Sequence, residues 1–247
     1  NTYTGTTSIS AGTLSAASVV VASGASSLGN ATSAVVLGDA SNQGTLSYTG
    51  SPTTYTRGFT VNAGGGRLDV ATAGQTLTVG TGSVTGSGLF TVGGAGNVSV
   101  SSTISGVSGV TMAGSGTLTL SGSNTYGGTT TVNSGVLKLG ASNVLSGSSA
   151  IMVNDGTLDI GGFANSVTSF TVTGGSCTGS GTLTFRTLSV TGGVVSGFVG
   201  YVGNTAGSSG TATVSSGTWA NSGQLYVANS GTGTLFVAVS YTHLTLP

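Results

Sequence analysis

The chain has 247 residues with four Lys plus Arg, four Asp, no Glu and zero formal net charge. Charged residues are 3% of it, against about a quarter in an ordinary soluble domain. So sparse a charge excludes a basic nucleic-acid footprint and the cationic face of a membrane-surface helix, so no nucleic-acid partner is expected. The single Cys excludes a disulfide framework and a structural zinc site. Gly numbers 47 without a three-residue period and Pro only 2, which excludes collagen.

Ser plus Thr number 82, so together with Gly they make about half the chain. Apolar residues are still 37% and mean hydropathy is +0.37, so the chain can bury a core. Short runs alternate polar and apolar residues between glycines: Gln75 to Val79, Gly116 to Leu120, Gly156 to Ile160 and Gly181 to Phe185. Each predicts a strand with one buried face. About 20 such runs follow one another at roughly 10-residue spacing, and helical periodicity is absent. Aromatics are only 6%, too few for the thick core of a closed sandwich. The fold class predicted is all-β, a parallel β-helix (β-solenoid) of about 8 to 12 coils and roughly 40–60 Å, with Val, Leu, Ile and Thr filling a narrow interior. The longest apolar run, Leu235 to Val239, is too short to cross a membrane.

Internal repeats support the solenoid. Asn1-Thr2-Tyr3-Thr4-Gly5-Thr6-Thr7-Ser8-Ile9-Ser10-Ala11-Gly12-Thr13-Leu14 recurs, ungapped, from Asn124 to Leu137 with 8 of 14 positions identical. Ala34 to Leu37 and Gly44 to Leu46 after the first copy parallel Ala150 to Val153 and Gly156 to Leu158 after the second. Gly66 to Val70 parallels Gly156 to Ile160. A second repeat type spans 201–239, where Tyr201-Val202-Gly203-Asn204 returns as Tyr226-Val227-Ala228-Asn229.

Gly114 to Leu137 resembles the passenger-associated transport repeat of bacterial autotransporters, G-x-G-T-L-x-L-x-G-x-N-x-Y-x-G-x-T-x-V-x-x-G-x-L, at every fixed position. The copy at 1–14 matches its second half. Tyr201 to Leu235, with Gly217-Thr218-Trp219-Ala220-Asn221-Ser222-Gly223, resembles a repeat of autotransporter-type and PEP-CTERM-type surface proteins. The resemblance implies a right-handed, single-stranded β-helix, exported to or released from a Gram-negative surface. It also implies a C-terminal outer-membrane barrel or sorting tail elsewhere in the protein. Residues 1–239 are read as one repetitive passenger segment, and 240–247 (Ser240 to Pro247, with the only His, His243) as a non-native tail.

No catalytic, cofactor-binding or metal-ligating residue is expected, and no cofactor. The carboxylates are Asp39, Asp69, Asp155 and Asp159. Asp155 and Asp159 could meet across a corner in a polysaccharide-degrading β-helix, but Asn154-Asp155-Gly156 is a turn signature, and Asp69 and Asp159 read as outward strand residues. Cys177 reads as a buried, inert thiol. Arg57, Arg67, Lys138 and Arg186 make no run; Arg67 and Asp69 share a strand face and could pair. Tyr3 and Tyr126 share a repeat position where packing at a coil edge is favoured over stacking on sugars. Thr117/Thr119, Thr171/Thr173, Thr182/Thr184 and Thr211/Thr213 could form the hydroxyl ladder of an ice binder, but their spacing is irregular. The expected function is a structural and adhesive segment of an exported surface protein. Its expected partners are cell surfaces, matrix or glycans, engaged by repetition of weak contacts.

Overall fold

The computed structural model describes residues 1–19, 26–204, 206–220, 224–228 and 230–238. All regular structure among them is β-strand, gathered into four parallel sheets. Asn221 to Gly223 of the Trp-containing motif, Asn229, and the tail 240–247 lie outside the described residues.

The alternation read from the sequence explains the local structure, and Gly-rich corners explain the turns. Phe59–Val61, Gly66–Val70 and Thr76–Val79 make one circuit, and Val84–Gly86, Leu89–Gly94 and Asn97–Val100 make the next. Each circuit lays its strands beside those of the circuit before. A sheet of 11 strands runs along one face and a sheet of nine along the second; the third face carries a five-stranded sheet, then a four-stranded one. Nine successive turns contribute to both long sheets, and one further strand of the 11 lies at each end. The architecture is the predicted β-solenoid. Eleven strands stacked at about 4.8 Å span about 50 Å. Leu89 faces Gly109 and Gly109 faces Thr129, while Ser169 faces Thr187 and Thr187 faces Thr211, so turn length varies along the rod.

Inward residues stack in columns. On the long sheet Leu46, Leu68, Val92, Met112, Val132, Val153, Val172 and Val190 lie in register. On the nine-stranded sheet the column is Leu77, Val98, Leu118, Leu137, Leu158, Cys177 and Val195. All are buried, each aliphatic side chain contributing about 1.5–3 kcal/mol. The interior is less aliphatic than composition implies, because the few aromatics concentrate there. Tyr55, Phe59 and Phe90 stack at 4.8 and 6.3 Å, and Phe170, Phe198 and Trp219 follow edge to face at 6.2 and 5.8 Å.

Buried polar groups tie turns together. Asn124 accepts from the Ile104 amide at 2.8 Å and donates to the Val144 carbonyl at 2.6 Å, clamping three turns. Asn165 repeats the device, accepting from the Val144 and Leu145 amides at 2.9 and 3.2 Å. Arg57 is buried, with Nε on the Ser33 carbonyl at 2.8 Å and Nη1 on the Leu28 carbonyl at 2.9 Å. Nothing in the sequence around Arg57 distinguishes this interior fastening from a surface charge.

Candidate functional surface

The charges are dispersed over the solenoid. Arg67 and Asp69 project from one strand and pair at 2.8 Å, as their spacing predicts. Gly93 faces Asp69 on the next strand, and a Cβ there would run into both side chains, so the missing side chain makes room for the pair. Lys138 and Asp159 face each other across neighbouring strands at 3.6 Å. Each partly exposed pair contributes about 0–1 kcal/mol.

The carboxylates considered for catalysis are separately engaged. Asp155 is exposed in the turn after Ala150–Val153. Asp159 accepts from the Gly161 amide at 2.8 Å besides pairing with Lys138. Asp39 closes a tight loop. Hydrogen bonds from the Asn42 side chain, and from the Ser41 and Asn42 amides at 2.8 and 2.7 Å, hold its carboxyl below the usual range. Cys177 is fully buried; burial, with Asp159 nearby, pushes its thiol far up and leaves it protonated. Among the described residues no group of three or more His, Cys, Asp or Glu could hold a metal ion.

The four Thr pairs do not share a face. Thr117 and Thr119 lie on the nine-stranded sheet, Thr182 and Thr184 on the four-stranded sheet, and Thr171, Thr211 and Thr213 on the long sheet. A different row does form across strands of the long sheet: Thr91, Thr111 and Thr131, followed by Met152, Thr171, Ser189 and Thr213. Its members lie one turn apart, a spacing that the pattern along a single strand does not contain. On the four-stranded sheet the outward row is Ser166, Thr184, Tyr201 and Tyr226. Its two tyrosines stack at 4.8 Å with planes 6° apart.

A concavity adjoins this row. A groove of about 580 Å³ crosses the corner between the four-stranded and long sheets. Its floor is two tight corners, Val167–Thr168 and Arg186; Gly147 on one side, and Gly203, Asn204 and Ala206 to Ser208 on the other, belong to longer loops. No carboxylate lines it. The unequal turn lengths create this groove, and those lengths become meaningful only once the register is known.

Residues 1–16 and 110–139 match the family model described as Passenger-associated-transport-repeat. Two stretches of the chain thus resemble the autotransporter passenger repeat. A 138-residue stretch, 54% of the chain, is 38% identical to the "Adhesin BmaC autotransporter" of Brucella suis biovar 1 (strain 1330). The chain spans only 3% of that relative's length. No solved structure matches significantly. A passenger segment of this kind is secreted or displayed at the surface of a Gram-negative bacterium.

Proposed function

We propose that these residues form a structural and adhesive segment of an exported surface protein. Its partners are other cells, matrix or glycans, and an outer-membrane anchor belongs to the same protein. The observation that carries the reading is the outer surface. On the long sheet the half-buried row Thr131, Thr171, Ser189 and Thr213, interrupted by the exposed Met152, repeats at one-turn intervals, and charges occur singly or in pairs. Such a surface suits many weak contacts summed by repetition. The segment is not an enzyme in this reading: Asp155 stands in an exposed turn and Asp159 is taken up by Lys138 and Gly161.

The test is adhesion of beads coated with the chain to cultured cells and to immobilised matrix. Retention should rise steeply with coating density. Retention equal to that of beads coated with an unrelated β-solenoid would sink the adhesive reading. Turnover of a pectin-like polymer that Asp155→Ala or Asp159→Ala abolishes would replace it with an enzyme.

A further inference from the structure

We propose that the groove at Arg186 binds an acidic sugar unit through its carboxylate. The proposal rests on the adhesive reading and names a ligand class for one place on the surface.

Arg186 is the cation left over. Among the described residues Arg67 and Lys138 are paired with Asp69 and Asp159, and Arg57 is engaged by two backbone carbonyls. Arg186 is exposed on the floor of the groove and, among the described residues, makes no ion pair and faces no acidic side chain there. A guanidinium held at a tight corner presents a planar fork of donors, which fits a carboxylate bidentately. Its backbone is fixed on both sides: the Arg186 amide donates to the Thr168 carbonyl at 3.0 Å, and the Arg186 carbonyl accepts from the Thr211 amide at 2.9 Å.

The rest of the groove suits a polyhydroxylated ligand. Ser166, Thr168 and Thr184 bring hydroxyls to its walls, and its volume of about 580 Å³ lies within the range of small-molecule sites, about 300–1,000 Å³. The groove therefore combines a cation for the acid with hydroxyls for the ring substituents.

The test uses the whole chain titrated with oligogalacturonate, its methyl-esterified counterpart, sialyllactose and a heparin oligosaccharide, followed by NMR or calorimetry. Beads coated with each variant are assayed for adhesion in parallel. Saturable binding of oligogalacturonate or sialyllactose is expected, with the two arms telling a uronate from a sialate. Arg186→Gln should weaken it about tenfold or more, and Arg186→Lys should weaken it less. Circular dichroism confirms that both variants keep the fold. Equal binding of the esterified oligomer, undiminished binding by Arg186→Gln, binding of the sulfated sugar alone, or no sugar binding would each overturn the proposal. If adhesion persists when the sugar arms fail, the groove assignment falls and the adhesive reading stands. If the acidic sugar binds but coated beads do not adhere, the adhesive reading falls and the groove assignment stands.

Discussion

The two copies of the 14-residue repeat fold alike and weigh differently. In both, the Tyr hydroxyl bonds the Thr four residues on: Tyr3 to Thr7 at 2.8 Å, Tyr126 to Thr130 at 2.7 Å. In both, the Gly eleven residues after the Asn takes positive φ, +73° at Gly12 and +60° at Gly135. The motif thus encodes a clasp, a strand and a corner. The copies do not occupy the same face. Ser8–Ile9 lies on the five-stranded sheet and Gly12–Ala16 on the long one, whereas Thr129–Val132 lies on the long sheet and Val136–Leu139 on the nine-stranded one. The segments after each copy keep the offset, with Gly44–Tyr48 on the long sheet and Thr157–Asp159 on the nine-stranded sheet. The second copy is rotated by one face, so the motif sets local geometry and the intervening turn lengths set its position around the rod.

Neighbours decide what each copy contributes. Tyr3 is 42% exposed and Tyr126 is fully buried. Space beside Gly12 is open, whereas a Cβ on Gly135 would strike the Gly114 and Gly116 carbonyls. Asn1 makes one exposed bond, to the Ser27 carbonyl at 3.0 Å, where Asn124 clamps three turns.

Paired substitutions sharpen this contrast. The largest effect is expected from Tyr126→Ala, about 3–5 kcal/mol of stability lost, against less than about 1 kcal/mol for Tyr3→Ala. Chemical denaturation of the two variants checks it, and equal losses would break the comparison. Next come the corner glycines. Gly12→Ala should lose only the left-handed strain, about 1–2 kcal/mol. Gly135→Ala adds the collision with two carbonyls, and overpacking raises the loss by about 1–3 kcal/mol more. Their melting temperatures should separate in that order.

A third effect is in pH. Burial pushes the Tyr126 hydroxyl up from its ordinary value near 10 to about 12, with the Thr130 bond partly opposing the rise. The folded state therefore holds a proton that the unfolded chain gives up. This contribution is intact below pH 10 and is lost as pH rises from 10 through 12, by up to about 1.4 kcal/mol per unit. Tyr126→Phe should flatten that part of the slope in melts between pH 9 and 12. Tyr55, raised in the same direction by burial, should preserve the remainder.

Much of this fold is legible in short windows. Gly116 to Leu120 alternates, and its two leucines are buried; Arg67 and Asp69 are two apart on a strand and pair. Alternation tells inside from outside because side chains of a strand point to opposite faces. It does not tell which residue lies one turn above. That depends on the summed length of three strands and their corners, which varies from turn to turn. The cross-strand Thr row, the rotation of the second repeat and the groove at Arg186 all arise from this nonlocal quantity. Burial depends on which turns lie alongside, so Tyr3 and Tyr126 read alike in sequence and differ in weight.

A rod made of stacked parallel turns also has a mechanical character. Pulling it from its ends loads one turn after another, and each turn can peel away while its neighbours stay closed. A turn of 20 residues released in this way yields about 65–70 Å of extended chain in exchange for about 5 Å of rod. Clamps such as Asn124, which join three turns, would act as catches that hold a load before the next length pays out. A rod built this way would lengthen many times over under tension, one turn at a time.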